Sequence, residues 1–184
     1  MCGMRGALSY RELPELDLVK DMMGRLSHRG PDGSGYFIDD RMVLGHTRLA
    51  IVDTVNGVQP MTNEDGRVWV TFNGEIFNHI ELAAQLRDRG HLYRTQCDTE
   101  VIVHAWEEWA TVCFERFNGQ WAIALWDRRS GDLVLCRDRF GVRPLYYAQT
   151  NDRLLFGSEV KALFADPTLS RALDPAGLDQ AFTF

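Results

Sequence analysis

The chain opens with the stretch Met1-Cys2-Gly3-Met4-Arg5-Gly6, in which a cysteine directly follows the first methionine. The residues from Gly3 onward are apolar enough to begin a strand. Removal of Met1 would give Cys2 both a free α-amine and a thiol. An α-amine has an ordinary pKa of about 7.7–8.0, which suits a general base near neutral pH. The stretch is consistent with an N-terminal nucleophile at the start of a strand, but cysteine beside glycine also occurs by chance.

The bulk composition is that of an ordinary globular protein. The 184 residues suit about one domain, 45% of them are hydrophobic, and the net charge is −6. An acidic balance argues against a nucleic-acid surface, which is normally basic. No apolar run approaches the roughly 20 residues that span a bilayer. We therefore expect neither a nucleic-acid nor a membrane partner.

The cysteine and histidine spacings predict neither a disulfide framework nor a metal site. No basic segment followed by an apolar one marks a signal peptide, so we expect a cytoplasmic protein with free thiols. The cysteines match no zinc pair, and the histidines have no metal-ligand spacing. These residues are Cys2, Cys97, Cys113, Cys136, His28, His46, His79, His91 and His104.

Hydrophobic periodicity predicts strands at both ends of the chain with helices between them. A buried strand over residues 67–72 is expected to end at Asn73-Gly74. The other predicted strands are 3–8 and three hairpins, which pair 36–38 with 42–45, 120–126 with 133–137, and 145–148 with 153–156, and a turn-rich loop covers 28–35. Predicted helices cover 18–26, 78–89 with an apolar face of Ile80, Leu82, Ala83 and Leu86, a segment from about Asp98, and 159–164. Without strict alternation, this order indicates α+β layering, in which helices cover antiparallel sheets.

The last residues predict the start of another helix. Asp174-Pro175 suits an N-cap and a first helical position, and Leu178, Ala181 and Phe182 continue an apolar stripe. The sequence stops at Thr183-Phe184 without a closing glycine. We interpret this as a chain cut before a further domain.

Amide hydrolysis by an N-terminal cysteine sets requirements that a few residues could meet. An oxyanion needs two donors, which Asn73-Gly74 could supply as a side-chain amide and a backbone N–H. A substrate carboxylate suits the arginine fork of Arg48, and an ammonium suits a carboxylate such as Asp98. Each has a structural alternative, because Asn-Gly is a common turn dipeptide, Arg48 could be a strand-edge residue, and Asp98 could cap a helix.

The order of the motifs along the chain resembles the class II glutamine amidotransferases. The similarity is greatest to the N-terminal glutaminase domain of glutamine-hydrolysing asparagine synthetases. It covers essentially the whole chain in the blocks MCG, RGPDGSG, HTRLAIVD, QPM, FNGEIFN, DTEVI, FNGQWAIALWD, RDRFGVRPLYYA and FGSEVKALF. The resemblance implies the N-terminal-nucleophile hydrolase fold, a four-layer αββα sandwich of two antiparallel sheets between helical layers.

The resemblance also implies roles for individual residues. Cys2 would attack L-glutamine with its own α-amine as base, and a thioester would then be hydrolysed to glutamate, with ammonia released inward. Asn73 and the Gly74 N–H would form the oxyanion hole. The substrate-binding residues would be Arg48 for the α-carboxylate, Leu49, Ala50, Ile51 and Val52 for the pocket wall, and Glu75 and Asp98 for the ammonium.

Two residues depart from the family pattern. Arg5 stands where a small apolar residue is usual, so something near the nucleophile must accommodate a guanidinium. Cys97 stands where serine or threonine is usual. Neither change removes a catalytic group.

By the same resemblance, residues 1–165 would form the glutaminase domain. Residues 166–184 would begin the connection to a C-terminal ATP-pyrophosphatase synthetase domain in cis, which this chain lacks. ATP and Mg²⁺ would belong to that absent domain, with no cofactor or metal in this one. A homodimer is compatible with the resemblance.

Three functions follow as hypotheses. In the first, the ammonia serves an asparagine synthetase domain that converts aspartate to asparagine. In the second, a related synthetase domain modifies another carboxylate. In the third, the amidase has lapsed and the domain only docks its partner, which the intact set of Cys2, Arg48, Asn73, Gly74 and Asp98 argues against.

Overall fold

A computed structural model describes residues 1–11 and 16–183, and its strands form two antiparallel sheets. Along the chain they are β1 (Gly3–Ser9), β2 (Gly33–Ile38), β3 (Met42–Arg48), β4 (Met61–Thr62), β5 (Val68–Ile76), β6 (Gly119–Asp127), β7 (Asp132–Arg137), β8 (Tyr146–Gln149) and β9 (Arg153–Gly157). The first sheet has the order β2-β3-β1-β9-β8, and the second has the order β4-β5-β6-β7. The strand that follows Cys2 therefore lies in the centre of its sheet.

Helices cover the outer face of each sheet. They are α1 (Leu16–Arg25), α2 (His79–Asp88), α3 (Asp98–Trp109), α4 (Cys113–Arg116), α5 (Val160–Leu163) and α6 (Pro175–Thr183). Buried residues of α1 and α5 pack on the first sheet, and those of α2, α3 and α4 pack on the second. Among the described residues, no helix combines the length and the apolar character needed to cross a bilayer.

A third apolar cluster fills the space between the two sheets. It is formed by Met4, Met42, Leu44, Ala122, Ala124, Trp126 and Phe156. Successive side chains of a strand point to opposite faces, so each sheet contributes one face here and the other to its helices. The predicted four-layer αββα sandwich is confirmed.

The predicted hairpins are confirmed, but the predicted end of the buried strand is wrong. Strand β5 continues through Asn73 and Gly74 to Ile76, and Gly74 pairs with Trp121 of β6. A Cβ at Gly74 would lie 2.2 Å from the backbone oxygen of Gln120, so only glycine permits this close pairing. Gly74 is therefore needed for the close pairing of β5 with β6, and it does not form a turn.

Three smaller expectations are also corrected. Strand β2 already begins at Gly33, so the turn-rich loop is shorter than residues 28–35. On α2, Ile80 is exposed because it lies off the face that Leu82 and Leu86 bury. Asp98 does not cap α3, since its carboxylate accepts a hydrogen bond from the Ile76 N–H of β5 instead.

The predicted C-terminal helix is present as α6. The Asp174 carboxylate accepts a hydrogen bond from the Ala176 N–H at 3.1 Å, as expected of an N-cap. No described residue of α6 is buried, including Leu178 and Phe182 of the predicted stripe. Phe184 lies outside the described residues, and the division at residue 165 stays a prediction.

The guanidinium of Arg5 lies buried on the α1 side of the first sheet. Its cross-strand partner is Gly45, where a Cβ would lie 3.0 Å from Arg5 Nε. Nη1 donates to the Gly3 carbonyl and the Thr47 hydroxyl, while Nε and Nη2 are buried without a hydrogen-bond partner in the described ranges 1–11 and 16–183. Burial lowers the pKa of Arg5 to about 9. Gly45 therefore makes the room that this departure from the family pattern requires, and β1 keeps its pairing.

We predict that Arg5→Met increases the free energy of unfolding by about 1–3 kcal/mol. No acidic side chain pairs with Arg5 in the described part of the chain, so its burial costs solvation without a counter-charge. The Gly3 carbonyl keeps the Thr47 hydroxyl as a donor in the variant. Urea unfolding at pH 7 measures the change, with the exposed Arg41→Met as control. A lower stability of Arg5→Met would show that its hydrogen bonds outweigh its desolvation.

His46 joins the two sheets from within the sandwich. Its Nδ1 lies 3.0 Å from the Thr71 hydroxyl of β5, and the ring is fully buried. Burial lowers the pKa of His46 to about 3, helped by the positive charges of Arg5 and Arg48. The ring is therefore neutral in the folded protein at pH values where an unfolded chain would protonate it.

We predict an acid-sensitive stability that depends on His46. Below its ordinary pKa of 6.5 the unfolded chain binds one more proton than the folded chain, so the free energy of unfolding falls as pH falls. The loss amounts to roughly 2 kcal/mol between pH 6.5 and about pH 5. Urea titrations of His46→Gln should remove most of it, while the exposed His28→Gln should retain it. Equal slopes for His46→Gln and the wild type would contradict the assignment.

Candidate active site

A cavity of about 120 Å³ lies where the start of β1, the end of β3, the middle of β5 and the start of α3 meet. This volume is comparable with cavities that hold one small organic molecule. The lining includes most of the predicted site residues, namely Cys2, Arg48, Leu49, Ile51, Val52, Asn73, Gly74, Glu75 and Asp98. Four separate chain segments therefore converge on one site.

The Cys2 sulfur is held against the backbone of Leu49. The Leu49 N–H donates to Sγ at 3.3 Å, and Sγ lies 3.5 Å from the Leu49 carbonyl oxygen. The Cys2 carbonyl accepts a hydrogen bond from Arg29 Nε at 2.9 Å. Met1 is peptide-bonded to Cys2 in this chain and also lines the cavity. The backbone on both sides of the thiol is thus fixed, and loss of Met1 would place an amine in the cavity.

Arg29 is a positioning residue that the sequence reasoning missed. Its Nη1 lies 2.9 Å from Glu159 Oε1, and the Arg29 side chain is buried. Burial opposes ionisation of Glu159, but hydrogen bonds from Arg29 and His28 prevail and lower its pKa to about 2. The ion pair thus orients the guanidinium that holds the Cys2 carbonyl. The blocks RGPDGSG and FGSEVKALF contain the two residues, but only the fold shows that they meet.

The edge of β5 directs backbone donors toward the cavity. Strand β4 pairs with β5 only as far as Val70. Beyond it, the Phe72 N–H donates to the Gln59 side chain at 2.7 Å, and the Ile76 N–H donates to Asp98 at 3.0 Å. Hydrogen-bonding directions alternate along a strand, so the N–H of Gly74, midway between them, points to the same edge. That N–H faces the cavity.

Asn73 provides a second donor beside Gly74. Its side chain is 2% exposed, and its Nδ2 is buried without a hydrogen-bond partner among the described residues. A buried amide without a partner loses the free energy of its hydration, at a cost of about 1–3 kcal/mol. Such a donor in a cavity wall is suited to a ligand oxygen.

Arg48 braces the loop that follows β3. Its Nη1 donates to the Thr54 carbonyl at 2.8 Å, and its Nη2 donates to the Asp53 carbonyl at 2.6 Å. A Cβ at Gly57 would lie 2.6 Å from Nη2, so this glycine leaves space for the guanidinium. The positive charge therefore lies at the cavity wall in a fixed position.

Asp98 supplies a buried carboxylate to the cavity lining. Burial raises the pKa of Asp98, partly offset by the hydrogen bond from the Ile76 N–H. A cationic ligand group would favour its ionised form. The neighbouring Cys97 also lines the cavity, but burial raises its pKa to about 11 and leaves its thiol inert at neutral pH.

The structure separates Ala50 from the other predicted site residues. Ala50 is not part of the described lining, and its N–H donates to Asp32 at 2.8 Å. The lining also includes residues that were not predicted as site residues: Met1, Gly57, Gln59, Phe72, Cys97, Thr99 and Arg143. In the sequence, only the QPM block of the family pattern pointed to Gln59. In the structure, its side chain accepts a hydrogen bond from the Phe72 N–H of β5 and donates one to the Thr99 hydroxyl of α3.

Comparisons with known proteins found relatives that match nearly the whole chain. The chain is 38% identical over 99% of its length to asparagine synthetase (glutamine-hydrolysing) 3 of Bacillus subtilis, of which it spans 30%. It is 41% identical over 90% of its length to the rice (Oryza sativa subsp. japonica) asparagine synthetase (glutamine-hydrolysing) 2, of which it spans 28%. The chain thus spans about a third or less of the length of these relatives.

A solved structure shares the fold. The glutamine phosphoribosylpyrophosphate amidotransferase of B. subtilis superposes with a TM-score of 0.75 over 89% of this chain and 43% of its own, at 20% identity. The family model described as a glutamine amidotransferase domain matches residues 1–184. The structure adds a cysteine at the start of β1 and a buried amide donor, Asn73 Nδ2, without a hydrogen-bond partner among the described residues. Because the family model covers the whole length given, the chain belongs to the glutamine amidotransferase domain family.

Proposed function

We propose that this domain hydrolyses L-glutamine to glutamate and ammonia through a thioester on Cys2. The observation that carries the proposal is the shared cavity. It joins the Cys2 thiol, the unpartnered Asn73 amide, the Gly74 N–H edge and the Arg48 guanidinium. Nucleophile, oxyanion donors and a carboxylate partner are the groups that hydrolysis of an amino-acid amide requires.

The first half-reaction begins after Met1 is removed. The α-amine of Cys2 takes the thiol proton, directly or through one water, and the sulfur attacks the side-chain carbonyl carbon of glutamine. The Asn73 amide and the Gly74 N–H stabilise the oxyanion. The C–N bond breaks, the amine returns its proton to the leaving nitrogen, and ammonia departs from a thioester.

The second half-reaction hydrolyses the thioester. Water loses a proton to the same α-amine and attacks the acyl carbon, the C–S bond breaks, and glutamate and the Cys2 thiol are restored. During both steps Arg48 would hold the α-carboxylate, while Glu75 and Asp98 would hold the α-ammonium. The pocket wall would come from Leu49, Ile51 and Val52. The proposed hydrolysis of glutamine uses no cofactor.

The proposed acceptor of the ammonia is a C-terminal synthetase domain in cis that converts aspartate to asparagine. The names of the relatives, asparagine synthetase (glutamine-hydrolysing), support asparagine as the product. ATP and Mg²⁺ would belong to that synthetase domain. A synthetase domain acting on another carboxylate is the alternative, and the sequence beyond residue 184 decides between them. We further propose a cytoplasmic enzyme, because its four cysteines are free thiols, as expected in a reducing compartment.

Loss of the thiol should abolish hydrolysis. We predict that Cys2→Ala lowers kcat for glutamine hydrolysis by at least about a thousandfold, because the covalent route disappears. Glutamate release measures this, and mass spectrometry of the wild type should show that Met1 is absent. The control is Cys136→Ala, which removes a half-buried thiol outside the cavity. Full activity of Cys2→Ala, or retention of Met1 in an active enzyme, would refute the mechanism.

Replacing the arginine fork should weaken substrate binding. We predict that Arg48→Lys raises KM for glutamine by roughly 10–100-fold, since a lysine offers one point charge where arginine offers a bidentate contact. Part of the loss would come from the loop carbonyls of Asp53 and Thr54, which lose their donors. Steady-state kinetics measure the effect against the exposed Arg41→Lys. An unchanged KM would remove Arg48 from substrate binding.

A further inference from the structure

A second cluster of polar side chains lies at the helical layer that covers the second sheet, on the side away from the first sheet. It consists of Glu64, His91, His104 and Glu107, whose nearest nitrogen and oxygen atoms all lie within 4.8 Å of one another. None of the four lines the glutamine cavity. The spacing of the histidines in the sequence predicts no metal site, but the fold brings two of them together from separate segments.

Three parts of the chain contribute to this cluster. Glu64 belongs to the turn between β4 and β5, and His91 to the connection between α2 and α3. His104 and Glu107 are three residues apart on α3, so they share one face of the helix. The side chain of His104 is 1% exposed, and those of His91 and Glu107 are 14% and 17% exposed. The cluster is therefore a largely enclosed feature of the fold.

The distances within the cluster are close to those of a tetrahedral zinc shell. Zinc bonds of about 2.0–2.2 Å to nitrogen and oxygen place tetrahedral ligands roughly 3.4 Å apart. His104 Nδ1 lies 3.4 Å from Glu64 Oε2 and 3.8 Å from Glu107 Oε2. His91 Nδ1 lies 3.8 Å from Glu64 Oε1 and 3.9 Å from Glu107 Oε2. Small side-chain shifts would bring these four residues to bonding distance of one ion.

Two of the atoms that face the centre lack hydrogen bonds. His104 Nδ1 and Glu107 Oε2 are buried without a hydrogen-bond partner among the described residues. The other oxygen of Glu107 accepts a hydrogen bond from Asn63 at 2.8 Å. Glu64 Oε1 accepts one from the Leu92 N–H at 2.8 Å. The hydrogen bonds thus orient the carboxylates while leaving acceptor positions directed inward.

Each histidine also has a carboxylate behind its other nitrogen. His104 Nε2 lies 3.6 Å from Glu100, and His91 Nε2 lies 3.5 Å from Glu108. Glu100 is fixed by the N–H groups of Arg94 and Thr95, each at 2.7 Å. A carboxylate on the outer nitrogen is the usual support of a metal-bound histidine, because it sets the tautomer and raises the basicity of the inner nitrogen.

We propose that Glu64, His91, His104 and Glu107 bind one divalent transition-metal ion, of which zinc is the best match. The ligand set of two imidazoles and two carboxylates suits Zn²⁺, and two carboxylates match its charge. Four protein ligands leave no open position, so the ion would be structural and not catalytic. It would tie the β4–β5 turn and the α2–α3 connection to α3, the helix that begins at Asp98 in the glutamine site.

Carboxylates surround His104 on several sides. Burial opposes the charged ring, but Glu100, Glu107 and Glu64 outweigh it and raise the pKa of His104 to about 9. Arg129 lies 3.8 Å from the outer oxygen of Glu107 and adds positive charge nearby. The carboxylates thus favour a positive charge at the centre of the cluster.

The test is a titration of the chelator-treated 184-residue chain with Zn²⁺ against a chromophoric competitor. We expect one equivalent to bind, with a rise in the thermal unfolding midpoint, because an ion that binds only the folded chain stabilises it. Co²⁺ should give the visible absorption of a four-coordinate site without the near-ultraviolet band of a thiolate ligand. Absence of saturable binding to the wild type would overturn the proposal.

Variants separate this site from the thiols and from surface histidines. His91→Gln and Glu107→Gln should weaken Zn²⁺ binding by at least about 100-fold, and Glu108→Gln by roughly 10–100-fold. Cys2→Ala, His28→Gln and the exposed Glu115→Gln should bind like the wild type. His91 and Glu107 are partly exposed, so these variants serve even if His104→Gln does not fold. Unchanged affinity in folded His91→Gln and Glu107→Gln, or loss of binding in Cys2→Ala, would refute the assignment.

Discussion

The close approach of β5 to β6 at Gly74 is the constraint on which the site depends. The missing side chain lets the two backbones pair where a Cβ would lie 2.2 Å from the Gln120 oxygen. Because β5 continues through Gly74 without a break in its pairing, its free edge presents N–H groups at every second residue. Two of them bind Gln59 and Asp98, and so attach the β3–β4 loop and the start of α3 to the same edge. The remaining group, on Gly74, is left to the cavity.

Patterns of hydrophobicity were sufficient to predict helices that cover antiparallel sheets, since helical stripes and alternating strands report directly on which face is buried. The arrangement in four layers was predicted from the family resemblance. Local patterns failed where tertiary contacts override them. Asn73-Gly74 has the composition of a turn, yet pairing with β6 overrides that local preference. Asp98 stands at the start of α3, where a capping carboxylate is expected, yet a strand 22 residues earlier in the chain takes its carboxylate. Contacts of this kind depend on the fold and have no local signal.

The site residues were predicted as a set because each block of the family pattern fixes one side chain. Only the structure shows how they are supported. Arg29 and Glu159 lie 130 residues apart, and their ion pair beneath Cys2 has no signature in either segment. The separation of Ala50 from the lining is likewise a matter of orientation, since its backbone N–H is used by Asp32. The sequence motifs therefore identify the site residues, and the packing of the fold determines how their side chains are oriented.

Polar burial in this domain follows two different rules. His46 is buried near the positive charges of Arg5 and Arg48, and Arg5 is itself buried, so folding holds both side chains against a solvation cost. His104 is buried among carboxylates, which favour a positive charge at that position, whether a proton or an ion. The two environments lie in different layers of the sandwich and are expected to respond to acid in opposite ways.

The position of β1 between β3 and β9 has a consequence for synthesis on the ribosome. Strand β9 ends at Gly157, so one edge of β1 stays unpaired until that residue has emerged. At usual elongation rates this takes on the order of ten seconds. The removal of Met1 that the proposed mechanism requires would fall within this interval, before the central strand of the first sheet has both of its neighbours.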